Sequence, residues 1–361
     1  MNGSTYDVVV VGGRVAGSLT AILLARAGHR VLVIDRARFP STTLSTHFFR
    51  GNGLIRVLDM AGMLDAVLAL GPPRLTCEYA YFNGDPSPTI EPPQDPGDAG
   101  YCLSVRRETL DAVLLDGARR AGAHVRTATS VSRLITEGER VTGVLLGDGS
   151  TVMAGLVVGA DGRRSMVARA VNAADRERHR GKRALYYRYV ADMPSPSGGA
   201  PDGPEFSLLD DELAYIFPSD AGLTCVAISV NLAAYARFRH SSAQVFDELL
   251  ARHTGLWQRY ADSTRHGRLF GSGPLDDYVR QPAGPGWALV GDSGIHQDPW
   301  SGVGMDSAAV TAAALVECIT SNADLRQNGW QVDYERNRDE NVLSWFHDTV
   351  ACAGDLSVLA S

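Results

Sequence analysis

The stretch "DVVVVGGRVAGSLTAILLARAGHRVLVIDR", Asp7 to Arg36, decides the fold. Val8 to Val11 is a continuous β-branched run of the kind buried on both faces of a parallel sheet. Val15, Leu19, Ile22 and Leu23 then recur at helical spacing, Gly28 stands where such a helix would stop, and Val31 to Ile34 forms a second strand. The spacing predicts a βαβ unit. Its first turn, Gly12, Gly13, Arg14, Val15, Ala16, Gly17, carries two of the three glycines of a dinucleotide fingerprint: one for the tight turn, one for close packing of helix on strand. Arg14 occupies the place where glycine normally lets the backbone approach a pyrophosphate. Three features sustain the reading. The glycines lie between a strand and a helix, the helix start offers free N–H groups to a phosphate, and Asp35, 23 residues after Gly12, ends the second strand as an acceptor for ribose hydroxyls. Gly13 lets the backbone at Arg14 follow the loop, while the guanidinium either swings out or donates to the pyrophosphate.

With 361 residues, 45% of them apolar, the chain can bury a large core in two domains or one elaborated one. A net charge of -7 supplies no basic field for nucleic acid. The first residues lack the pattern of a secretory leader, and the apolar runs are too short to span a bilayer. Five scattered cysteines without C-x-x-C spacing suit reduced thiols, so a cytoplasmic setting is expected. No cluster has zinc-ligand spacing, so no metal is expected, and G-x-S-x-G and P-loop motifs are missing.

Two turn-rich stretches, Asn83 to Gly100 and Met193 to Pro204, read as long surface loops. Arg107 to Gly122 reads as a helix, and Val131 to Gly162 as an antiparallel meander with turns at "EGE" and "GDG". From Ala184 the sequence turns aromatic and β-branched. "ALYYRYVADM", "EFSLLD", "LAYIFPS" and "LTCVAISVN" predict a second sheet, with Tyr187 and Tyr189 on one face and Tyr186 and Arg188 on the other. Tyr215 and Phe217 likewise share a face. Helices are expected from Ala243 to Arg252, from near Gly304, and from Gln331 to Val350.

Two further motifs follow strands. "LVVGADGRRSMVAR" places Asp161 and Gly162 at a strand end, and "ALVGDSGIHQDPWSGVGMDSAAV" places Gly291 and Asp292 likewise, with Pro299 seven residues beyond Asp292. Fingerprint, "DG" and "GD" occur in the order and spacing of the flavoproteins typified by para-hydroxybenzoate hydroxylase and geranylgeranyl reductase. The chain resembles that family from Tyr6 to Cys318. The resemblance implies an α/β fold: a discontinuous, Rossmann-like FAD-binding domain (1–74, 101–182, 270–320), a mixed β-sheet substrate domain (75–100, 183–269) and a C-terminal helical segment (321–361). It also includes sequences reading G-A-R-x-A-G at the fingerprint, which makes Arg14 a variant.

Carried over by position, the resemblance implies that Asp35, with Arg36 beside it, binds the adenosine ribose, and that Asp292 binds the ribityl chain of FAD. The turn Gly302, Val303, Gly304, Met305 would present N–H groups to the pyrimidine edge of the flavin, and Asp161 would lie near the cofactor. Arg107, opening "RETLD", would reach the cofactor; the alternative is a solvated first-turn charge. Arg163 and Arg164 read as surface charges. No residue declares itself as the catalytic acid or base. His47, Tyr187, Tyr215, His296 and Trp300 are candidates for the substrate pocket, although a lone histidine is as often a hydrogen-bonded structural residue.

The family implies a monooxygenase that takes electrons from transiently bound NAD(P)H and, through a flavin C4a-hydroperoxide, hydroxylates or epoxidises an aromatic or polycyclic compound of secondary metabolism. A single fingerprint agrees with transient nicotinamide binding. Two alternatives stay open: a geranylgeranyl-reductase-like reductase of carbon-carbon bonds, which "AYIFPSDAGLTCVAISV" and "QDPWSGVGM" resemble, and a flavin-binding scaffold or cyclase without net redox turnover. The halogenase signature W-x-W-x-I-P is not in the sequence. A small molecule and O2 are the expected partners, and the oligomeric state is not legible.

Overall fold

The βαβ unit forms as the spacing predicts, with strand β1 (Thr5–Val11), helix α1 (Val15–Arg26) and strand β2 (Val31–Ile34). The computed structural model describes residues 5–45, 47–87, 98–239, 242–322 and 329–360. Along the chain follow β3 (Tyr79–Phe82), α2 (Arg107–Arg120) and β4 (His124–Arg126). The meander is β5 (Val131–Glu137), β6 (Arg140–Leu146) and β7 (Thr151–Gly159). The aromatic stretches become β8 (Arg183–Ala191), β9 (Glu205–Leu209), β10 (Glu212–Pro218) and β11 (Leu223–Asn231), and β12 (Thr264–Ser272) follows. Last come β13 (Trp287–Leu289), α3 (Gly304–Thr320) and α4 (Trp330–Cys352).

The central sheet runs β13-β7-β1-β2-β4 with parallel pairing throughout this stretch. Strand order reverses at β1. In open parallel sheets such a switch point leaves a crevice at the carboxyl ends of the strands, which is where ligands bind. Alternation along β1 splits the core: Val8 and Val10 pack with α1, α2 and α3, while Val9 and Val11 pack against the meander residues Leu134, Val144 and Leu146. Burial on both faces explains why β1 and β2 read as unbroken apolar runs rather than alternating ones. Helix α4 closes the first layer through Trp330 and Tyr334.

The second sheet runs β12-β8-β11-β10-β9-β3 and is mixed, since β3 pairs parallel with β9 and the others are antiparallel. Strand β12 stays in this sheet through Ser272, past the boundary expected at 270. One face, with Ile216, Val226 and Ile228, packs on Phe246, Leu249 and Tyr260 of the helices Ser242–Leu250 and Thr254–Asp262. The other face carries Leu185, Tyr187, Tyr215 and Phe217 and packs on Phe48 from the first half of the chain. The alternation read from the sequence is therefore correct for β8 and β10. Of the two expected loops, Met193 to Pro204 contains no regular element; in the other, Asp85–Pro86 is a short strand that turns back antiparallel onto β3 at the edge of the second sheet, and residues 88–97 lie outside the described residues. Among the described residues no helix is long and apolar enough to cross a membrane.

Candidate functional site

At the fingerprint turn, Gly12 has φ +109°, and a Cβ there would be driven into the carbonyl oxygen of Ala160; a Cβ on Gly17 would collide with the carbonyl oxygen of Gly12. Both positions require glycine. Position 14 does not, because its φ of -92° and ψ of -164° are extended backbone that any residue adopts. Its guanidinium pairs with Asp111 at 2.5 Å and donates to Ser41 Oγ at 3.1 Å. Arg107 donates to both oxygens of the same carboxylate, at 2.9 and 3.1 Å, and Asp111 is fully buried between the two arginines. Asp35, 8% exposed, accepts from the N–H groups of Gly13 and Ala37, each at 2.7 Å, and thereby braces the turn. A carboxylate has about four acceptor sites, so it retains capacity for a ribose hydroxyl.

Asp161 caps the short helix Met166–Ala170, accepting from Met166 N at 2.6 Å and Ser165 Oγ at 2.5 Å. Ser293 knits the two remaining loops together: it accepts from Gly162 N at 3.0 Å and donates to Asp161 at 3.2 Å. Gly291 donates to Thr311 Oγ1 at 2.9 Å. The Asp292 carboxylate makes no hydrogen bond to another described residue and lines the cleft. Pro299 opens a single turn, Pro299–Ser301, capped by Asp298; Gly302, at φ +70°, ends that turn, and α3 starts at Gly304. A Cβ on Gly304 would meet nothing within 4 Å. Asp306 anchors this helix start by accepting from Arg50 N at 3.1 Å and Leu54 N at 2.8 Å, and burial pushes its carboxyl up to about 6.

These loops surround one cleft of about 790 Å³, within the range of cofactor sites. Of the residues expected at the cofactor, Gly12, Arg14, Val15, Ala16, Asp35, Arg36, Arg107, Asp161, Asp292, Pro299, Gly302, Gly304 and Met305 line it; Gly13, Gly17, Gly291 and Val303 lie just behind. The cleft also takes in the half-buried Arg163 and, still exposed as expected of a surface charge, Arg164, together with the exposed Arg169. Six arginines and three aspartates thus line it, in a chain of net charge -7. Open space over Gly304, backbone N–H groups at a helix start, unshared carboxylate capacity and surplus positive charge together fit an extended dinucleotide with a pyrophosphate.

The substrate-pocket candidates divide. His296 lines the cleft, its Nδ1 bonded to the Asp276 carbonyl at 2.8 Å and its pKa lowered mainly by burial. The other four do not line it. His47 is fully buried, stacked on Tyr189 and hydrogen-bonded to its hydroxyl, and burial together with Arg107 and Arg106 pushes it down to about 3. Tyr215 donates to the Trp300 carbonyl at 2.6 Å, and the Trp300 indole donates to Thr349 at 3.0 Å. The Tyr187 hydroxyl bonds to the Thr43 carbonyl at 3.5 Å. The three hydroxyl and indole groups thus have structural partners, as buried polar atoms generally do, while His47 is bonded through Nε2 and its Nδ1 has no partner among the described residues. The wall is made instead by Thr42, Thr43, Leu44, Ser45, Phe48, Leu185 and Leu275. Leu185 was findable from its alternation with Tyr187, and Asp111 from its i,i+4 spacing to Arg107; residues 42–45 carry no periodic signal.

The family described as FAD binding domain matches residues 5–205, more than half of the chain. Menaquinone reductase of Mycolicibacterium smegmatis (strain ATCC 700084 / mc(2)155) is 28% identical over 334 residues, covering 87% of this chain and 76% of that protein. PqsL, a probable FAD-dependent monooxygenase from Pseudomonas aeruginosa, superposes with a TM-score of 0.80 at 22% identity, covering 98% of this chain and 96% of that one. The myxobacterial chondrochloren halogenase CndH, an FAD-dependent halogenase, has a TM-score of 0.82 at 24% identity and covers 96% and 83%. The two structural likenesses show a shared fold. With the family match and the cleft in agreement, the chain belongs to the FAD binding domain family and is an FAD-dependent oxidoreductase.

Proposed function

We propose that this oxidoreductase is a monooxygenase that uses NAD(P)H and O2 to hydroxylate or epoxidise a small aromatic or polycyclic metabolite. FAD, when bound, supplies a two-electron carrier able to react with O2. The chain's own groups do the rest. Asp35 and Asp292 would accept from ribose and ribityl hydroxyls, and Arg36, Arg107 and Arg163 would neutralise the pyrophosphate. The N–H groups of Val303, Gly304 and Met305, at the positive end of α3, would favour negative charge on the ring edge they face. The division of labour follows the two sheets, the first holding the cofactor and the second covering the substrate.

The carrying observation is the chemistry of the wall where the second sheet closes the cleft. Leu44, Phe48, Leu185 and Leu275 are apolar; Thr42, Thr43 and Ser45 offer hydroxyls; His296 is kept neutral by burial. Among the described residues this wall holds no carboxyl, amine or thiol. Oxygen transfer needs a dry, apolar pocket. Saturating a carbon-carbon bond also needs a proton delivered to carbon by a group within hydrogen-bond reach, and this wall provides none suited to it. The likeness to a menaquinone reductase favours the second reading, a reductase of carbon-carbon or quinone substrates.

Turnover of a panel of phenols and polycyclic phenols under 18O2, with NADH or NADPH, tests the proposal by mass spectrometry. Label in a product is expected. Anaerobic oxidation of NAD(P)H by menaquinone, with no label in any panel compound, would overturn it in favour of the reductase.

A further inference from the structure

We propose that Arg14 is a strut that couples the phosphate turn to the substrate wall of the cleft, with Asp111 as its anchor. The inference rests on reading residues 42–45 as that wall. Arg14 leaves the fingerprint turn and reaches two places at once. One terminal nitrogen of its guanidinium pairs with Asp111 at 2.5 Å and donates to the Ser41 carbonyl at 3.4 Å; the other donates to Ser41 Oγ at 3.1 Å and to the Thr42 carbonyl at 3.4 Å. Its planar fork also lies over the Phe39 ring, 5.6 Å from the centroid. A lysine, with a single ammonium, could not make these contacts together. Thr42, Thr43, Leu44 and Ser45, which directly follow this clasp, form part of the cleft lining. On their far side Tyr187 of β8 holds the Thr43 carbonyl. The wall is therefore pinned by the cofactor turn at one edge and by the substrate sheet at the other.

Asp111 makes the coupling responsive to the cofactor. One buried carboxylate serves two guanidiniums, those of Arg14 and Arg107, so these three groups together carry one net positive charge beside the turn. A pyrophosphate arriving at Gly12 to Ala16 supplies the missing negative charge, which holds both arginines in place and with them the segment that Arg14 clasps. Replacing the fingerprint's middle glycine thus gives this chain a mechanical link that a glycine cannot provide.

Hydrogen exchange of the peptide covering 41–45, with and without saturating FAD, reads the link without any turnover, so its failure is distinguishable from failure of the monooxygenase reading. FAD should slow exchange there by about tenfold in the wild type. Arg14→Gly should abolish most of that slowing while changing the FAD Kd by less than about tenfold, below the worth of one charge-assisted hydrogen bond. Ser41→Ala, which keeps the guanidinium and folds without burying a charge, should lose part of the slowing at unchanged Kd. Intact slowing in Arg14→Gly overturns the proposal, and if the FAD Kd also rises about 100-fold, Arg14 is a phosphate ligand instead. If Arg14→Gly loses both, Ser41→Ala decides: slowing kept at full strength in that variant overturns the strut.

Discussion

A methyl group at position 12 has nowhere to go, because the backbone there sits at φ +109° with the Ala160 carbonyl against it. Gly12→Ala should therefore cost at least about 1–3 kcal/mol in strain and yield a colourless, less stable protein, seen as a lower Tm and no retained FAD. Retention of FAD at an unchanged Tm would contradict the geometry. Titration at single residues also sets a pH dependence. Asp277 is 2% exposed with one oxygen unpartnered, and burial, with the Asp298 carboxylate next to it, raises its pKa from 3.8 to about 7. Between those values the folded chain holds a proton that the unfolded chain releases, so stability falls as pH rises through the window. Asp277→Asn should raise Tm relative to the wild type at pH 8 and leave it nearly unchanged at pH 4, in thermal melts at both; an equal shift at both would exclude this origin.

Among the elements, the start of α3 separates folding from binding. Gly304 has open space where its side chain would be, and φ there is not left-handed. Gly304→Ala should hold or slightly raise Tm, since alanine favours a helix by up to about 1 kcal/mol, and weaken FAD by several-fold because the methyl enters the cleft. Unaltered affinity in a fluorescence titration would place the cofactor elsewhere. The long elements were legible in the sequence: β1, α1 and β2 from period and turn residues, the meander from its turns, and the aromatic faces of β8 and β10 from alternation. The short ones were not. The sheet of Asp175–His179, Asp277–Arg280 and Ile295–His296, and the pair Phe48–Phe49 with Leu103–Ser104, are too short to show a period, and their partners are remote in sequence. Phe48 belongs to such a piece, which is why its position at the cleft needed the structure, whereas His296 was legible from its place beside the "GD" proline.

For the molecule as a whole, charge is distributed against its net value: -7 overall, yet six arginines face three aspartates in the cleft. Attraction to a pyrophosphate should be screened, so FAD affinity should fall by about 3–10-fold between 0.05 and 0.5 M NaCl, as the Debye length shrinks from about 14 to about 4 Å. An affinity indifferent to salt would mean the arginines do not face the cofactor. Local pattern was enough to determine the dinucleotide turn, the strand-ending aspartates and the glycine-led start of α3, because a period of 2 or 3.6 and a turn glycine act within a few residues of the chain. Only the tertiary structure decided which buried side chains face the cleft. It turned His47, Tyr187, Tyr215 and Trp300 to structural partners, brought in residues 42–45 and Arg163, and joined Arg14 to Asp111, 97 positions away. Such pairings depend on how two sheets close over one another, and nothing local in the chain records that.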